Sequence, residues 1–180
     1  MTTTSYTRTA ILLHWSIAVL IFLNITAGFL MASTPKQESQ HDAILFWHAS
    51  LGSLIFLLAV VRLCWRLTHQ PPPLPNSIPA LQRGAAHLLH WLLYTLMLVL
   101  PFSGYLHRLA GGHDVSFFGL FNWPDIIAKD EPFRVFTHNL HETLAWTLCI
   151  LLAGHIAAAL KHALIDRDGV LRRILVARTT

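Results

Sequence analysis

The sequence predicts an all-α integral membrane protein, a four-helix bundle with both termini on the cytoplasmic side. Three observations predict it. Of 180 residues, 54% are hydrophobic and only 12% are charged, whereas soluble domains carry about 25% charged residues. So little charge cannot cover a solvated globule, and so much apolar material excludes disorder. The apolar residues fall into four runs, each longer than the roughly 20 residues that carry a helix across a ~30 Å hydrocarbon layer. Lys and Arg are divided unequally between the connections. The length suits a single domain, residues 1–180.

The first run covers about 10–31. It is too long for the apolar core of a signal peptide, and His14-Trp15 interrupt it. A polar connection, 33–40, leads to the second run at about 43–67. The next connection, 70–79, contains Pro-Pro-Pro-Leu-Pro and reads as a stiff polyproline linker. The third run covers about 80–106. The longest connection, 107–135, carries Gly111-Gly112, several aromatics and Trp123-Pro124-Asp125, and is expected to lie against the membrane surface. The fourth run covers about 136–164, and a polar, basic tail follows from Ile165. Backbone groups in lipid must be satisfied within their own segment, so each run is a helix.

Orientation follows from the basic residues. Arg8, Arg62, Arg66, Arg83, Lys161, Arg167, Arg172, Arg173 and Arg178 lie on the side of the termini, against Lys36, Arg108, Lys129 and Arg134 on the other. Nine against four places the termini in the cytoplasm. The basic pI of about 9.5 then reflects contact with lipid headgroups, and no nucleic-acid partner is implied. Cys64 and Cys149 fall within helices at opposite depths, so no disulfide is expected. No Cys-x-x-Cys-His occurs, which excludes covalent haem attachment.

Histidine is overrepresented: 12 imidazoles in a chain with 13 Lys plus Arg. His14, His48, His87, His90, His141 and His155 fall inside the spans, where ionisable groups are costly and mark function. His41, His69, His107, His113 and His138 lie at helix ends or in loops, and His162 near the cytoplasmic end of the last helix. His141 and His155 are 14 residues apart, which returns the helix face to within ~40° over a rise of ~21 Å. One face thus presents an imidazole near each side of the membrane, an arrangement that suits two stacked haems better than one metal centre. The same interval separates His14 from Gly28, His48 from Arg62 and His90 from Gly104.

Antiparallel neighbours would pair His48 with His141 in an outer tier and His14 with His155 in an inner one. His87 and His90 lie at the inner depth too, and depth does not choose between them and His14. The glycines are expected to let a flat macrocycle approach the backbone. Arg62 suits a haem propionate or a quinone headgroup. Glu142 is either a hydrogen-bond acceptor behind His141 or an interfacial carboxylate. Zinc-like spacing occurs at His87/His90 and His138/His141, but at opposite ends of the membrane. No phosphate-binding glycine loop, Ser/His/Asp set or His-Glu-x-x-His is present.

These segments resemble the bacterial cytochrome b561 family. The resemblance rests on Ile-Leu-Leu-His-Trp in the first helix, Trp-His-Ala-Ser-Leu-Gly in the second and Ala-Ala-His-Leu-Leu-His in the third. Leu-His-Glu-Thr-Leu-Ala, Gly-His-Ile-Ala-Ala-Ala-Leu-Lys-His and the terminal Asp-Arg-Asp-Gly-Val-Leu-Arg-Arg-Ile-Leu complete it. It spans essentially the whole chain. It implies a bacterial inner-membrane protein with two haem b groups, the inner held by His14 and His155 and the outer by His48 and His141. It also implies ubiquinone as electron partner, with His162 at its site, and superoxide oxidation at the outer face, a superoxide:ubiquinone oxidoreductase. The compact chain fits the stand-alone type and is compatible with a monomer.

His162, His87 and His90 are candidates for the quinone site or for proton delivery to it. The outer loop departs from what collects an anion: Arg108, Lys129 and Arg134 face Asp114, Asp125, Asp130 and Glu131. Two other readings are an electron-transfer subunit serving a periplasmic redox partner, and a histidine-lined metal-ion transporter.

Overall fold

The computed structural model describes residues 5–75 and 78–177; Arg178, one of the nine basic residues counted above, lies outside them. The long helices are α1 (Arg8–Ser33), α2 (Ser39–Thr68), α3 (Ala80–Ala110) and α4 (Glu131–Lys161). All four are long and apolar enough to span a membrane. A two-stranded hairpin, β1 (Ser116–Phe117) and β2 (Phe121–Asn122), lies between α3 and α4. A single π-helical turn (His162–Asp166) and a short helix, α5 (Arg172–Leu175), follow α4.

α1, α2 and α4 begin before the apolar runs do, and at α1 and α4 a side-chain cap sets the start. Thr7 Oγ1 accepts from the Ala10 amide (3.2 Å) and starts α1. Asp130 Oδ1 accepts from the Phe133 amide (2.9 Å), and Pro132 follows in the first turn, so α4 begins at Glu131 rather than near 136. At the other end of the loop, α3 continues through Pro101 to Ala110. It stops where Gly112 turns to φ +75.

Successive helices pack against each other, α1 on α2, α2 on α3 and α3 on α4. The chain therefore runs up and down, with both terminal segments at one end. There the Tyr6 amide donates to the Arg173 carbonyl (3.3 Å) and Trp15 Nε1 to the Ile174 carbonyl (3.0 Å). Arg173 Nη1 reaches the Pro73 carbonyl (2.6 Å), fastening the tail to the proline-rich connection. We call this the terminal end and the opposite one the hairpin end.

The hairpin is built, not merely laid on a surface as the loop composition suggests. Ser50, fully buried on α2, donates to the Ser116 carbonyl (3.2 Å) and accepts from the Phe118 amide (3.2 Å). Phe117 and Phe121 each pack edge to face on Trp123. Buried Ile17, Ile21, Ile55, Ala59, Tyr94, Met97 and Leu148 form the core in the middle of the bundle. Leu12, Val19, Phe22, Leu88 and Ile150 remain exposed on its outside, as a lipid-facing surface requires. Cys64 and Cys149 are free thiols.

Candidate functional site

Imidazoles gather in two groups, one on each side of the central core. At the hairpin end, His48 on α2 and His141 on α4 stand with ring centroids 6.1 Å apart and planes at 82°. The Nδ1–H of His48 donates to the Asn24 carbonyl (3.1 Å). That of His141 is shared between the Leu100 carbonyl (3.1 Å) and Ser103 Oγ (3.0 Å). Ser103, buried, is itself held by donating to the Leu100 carbonyl (2.7 Å). With Nδ1 occupied, Nε2 of each ring is the atom left for a ligand, and the bond behind it makes it a better base.

The glycines at this depth, Gly28 and Gly104, make room for these rings. A Cβ on Gly28 would lie 3.3 Å from His48 Cε1, and one on Gly104 2.9 Å from His141 Cε1. The histidines lean into the space a side chain would fill.

At the terminal end, His155 on α4 faces two partners. Its centroid lies 6.3 Å from that of His14 on α1 and 5.6 Å from that of His90 on α3. His87, one turn from His90, is exposed. Metal–nitrogen bonds of about 2.0–2.1 Å, with about 1.1 Å from nitrogen to ring centre, put two imidazoles on opposite sides of one metal about 6.3 Å apart. The His14–His155 and His48–His141 spacings match that value, and His90–His155 is shorter. The buried Leu148 sits seven residues from both His141 and His155, so the two groups stand one above the other on α4.

Below the second group, the Arg62 and Arg66 guanidinium carbons lie 5.6 and 5.4 Å from the centre of the Tyr94 ring, and Arg66 lies 5.8 Å from that of Trp91. Among the described residues no carboxylate pairs with either arginine, and the aromatic rings are their partners at this depth. The sequence interval singles out Arg62 but not Arg66, which lies one turn further along the same face.

His162 opens the π-helical turn. Its Nδ1–H donates to Asp168 Oδ2 (2.5 Å), with Asp166 Oδ2 at 3.4 Å, while Lys161 Nζ reaches Asp166 (2.5 Å). The other Asp168 oxygen accepts from the Val170 amide (3.0 Å). Desolvation pushes the Asp168 carboxyl up, but the Val170 amide and the His162 ring outweigh it and hold the group below its ordinary range. Asp168 has no periodic or charge signal in the sequence. It is brought to His162 by the π turn and the left-handed Arg167 (φ 51) and Gly169 (φ 76).

The sequence profile described as Prokaryotic cytochrome b561 matches residues 5–176. The chain is 34% identical over 163 residues to cytochrome b561 homolog 2 of Escherichia coli (strain K12), covering 90% of this chain and 86% of the relative. With cytochrome b561 homolog 1 of the same organism it shares 30% over 173 residues, 96% of this chain and 98% of the relative. With a probable superoxide oxidase, CybB, of Yersinia pestis it shares 25% over 163 residues, 91% of each chain.

Proposed function

The chain belongs to the prokaryotic cytochrome b561 family and is thus a multi-pass bacterial membrane protein that transfers electrons with b-type haem; from this premise we propose a particular path. Two haem b groups connect an outer donor, superoxide, to ubiquinone near the cytoplasmic face of the inner membrane. His48 and His141 hold the outer group, His14 and His155 the inner. These four imidazoles would hold the haem irons, and haem b would supply one-electron chemistry there.

The observation that carries this reading is the spacing, 6.1 and 6.3 Å, of two imidazole pairs stacked on one face of α4. The Nδ1 bonds to Asn24 and Leu100 support Nε2 as the ligand atom at the hairpin end. His14 is preferred to His90 because 5.6 Å is too short for opposite sides of one iron, and to His87 because that ring is exposed. Arg62 and Arg66 suit the anionic propionates.

The excess of Lys and Arg at the terminal end assigns that end to the cytoplasm, and the tail closes over it. There Asp168 keeps the His162 proton on Nδ1 and leaves the Nε2 lone pair to take up a proton from the cytoplasmic side and pass it on when quinone is reduced. His87 and His90 are the further proton carriers near this end. At the hairpin end Arg134 is engaged with Glu131, so Lys36 and Lys129 are cations available to an arriving anion. Superoxide oxidase activity follows, and the name of the Yersinia pestis relative supports it.

The purified protein is expected to hold two haem b per chain with a low-spin bis-imidazole spectrum. His141→Ala should remove the outer haem and spare the inner. One haem in the unmodified chain would overturn the path. Stopped-flow haem reduction by superoxide, with reoxidation by added ubiquinone, tests its two ends. Intact haems that superoxide does not reduce would transfer the donor role to a periplasmic protein.

A further inference from the structure

We propose that His107 and His138 form a second kind of metal site, one that binds a single divalent transition-metal ion such as zinc at the hairpin end. The two residues come from different helices and are 31 positions apart in sequence, so no local motif connects them. The packing of α3 on α4 brings their ring centroids to 5.2 Å, with planes at 42°.

The distance discriminates between coordination geometries. With metal–nitrogen bonds of about 2.0–2.1 Å, two imidazoles at a tetrahedral angle about one ion have centroids about 5.2 Å apart, against about 6.3 Å when they lie opposite each other. The His107–His138 pair has the first spacing, whereas His48–His141 and His14–His155, deeper in the bundle, have the second.

The tautomer agrees. His107 Nδ1–H donates to the Arg134 carbonyl (3.1 Å), which leaves the Nε2 lone pair as the ligand and orients the ring from behind, as second-layer partners of metal-bound histidines do. Among the described residues no carboxylate engages either ring. His138 is exposed, so water can complete a four-coordinate shell, the open form of a zinc site.

The neighbouring cations are partly compensated. Arg134 places Nε and Nη2 on the Glu131 carboxylate (2.7 and 2.5 Å), and Arg108 is within the field of Asp42 and Asp114. Imidazole suits zinc, copper(II) and nickel(II) better than the hard cations. His138 lies three residues before His141, and His107 three after Gly104, so the ion would sit about 5 Å outward of the His141 level.

The test is a zinc titration of the haem-loaded, full-length protein in detergent, followed by calorimetry, with X-ray absorption at the zinc edge to count imidazoles. One zinc per chain with two imidazole ligands is expected. His138→Gln and His107→Asn should each weaken binding about tenfold or more, since even second-layer changes cost that much. The haem spectrum, unchanged in both variants, reports that the bundle is intact. The cluster His162, Asp166 and Asp168, whose ligand atoms lie within 4.8 Å of one another, is the internal control, because Lys161 already occupies Asp166. Asp166→Asn should leave zinc binding unchanged. Absence of saturable binding, binding untouched by the two histidine substitutions, or binding lost only in Asp166→Asn would each overturn the proposal.

Discussion

Gly104 has no room for a side chain, because the His141 ring occupies the place. A Cβ there would come within 2.9 Å of Cε1 and 3.1 Å of Nδ1, so Gly104→Ala must push the imidazole off its bonds to Leu100 and Ser103. On the proposed path, the expected result is loss of the outer haem, or a large shift in its potential, with the inner haem retained. Gly154→Ala is the matched control: it lies beside His155, yet nothing stands within 4 Å of its Cβ position. Haem content and a reductive titration of the two variants check this, and equal behaviour would remove Gly104 from the site. The sequence placed Gly104 at the right depth by its interval from His90. Which atom fills the space depends on how α3 rests against α4, and sequence spacing along one helix does not carry that. For the same reason Ser103 and Asn24 could not be recognised: each acts through a bond to a residue on another helix.

At the scale of elements, the errors of the sequence reading lie at the ends. Hydropathy sees the part of a helix that sits in lipid, whereas caps decide where the helix begins. The Asp130 side chain removes one unpaired amide at the start of α4, and its replacement by Ala is expected to cost about 1 kcal/mol. That loss should register as a lowered thermal unfolding midpoint with haem content unchanged. The π turn after α4 supplies a pH-dependent counterpart. The Asp168 carboxyl titrates below its ordinary range in the folded chain, so it contributes stability above the unfolded value, about 3.9. That contribution is lost as the pH falls through the lower folded value. Hydrogen exchange over 162–175, corrected for intrinsic rates, should therefore show protection that is full at neutral pH and declines only in acid. Asp168→Asn should be poorly protected already at neutral pH and flatter below it. Protection identical to the unmodified chain across the range would mean that the dyad does not hold the tail. The left-handed backbone at Arg167 and Gly169 that closes this dyad is legible only as a glycine near a helix end.

At the scale of the whole molecule, low charge and abundant histidine have separate causes. Four helices that face lipid need few charges, and the imidazoles are spent where helices face one another or meet the membrane surface. Their number, the four spans and the 14-residue interval on α4 are properties of a single chain in its solvent. An apolar run must become a helix when no water is present to satisfy its backbone, and a helix of known pitch fixes which of its residues share a face. The sequence by itself therefore determined the fold class, the helix count and the two depths at which histidines stand. It could not decide among His14, His87 and His90, nor see that His107 meets His138 or that Asp168 meets His162. Those choices turn on distances of an ångström or less between side chains from different elements, which are settled by helix rotation, by caps and by the turns that bring the chain back. Only the tertiary structure shows which of these side chains meet.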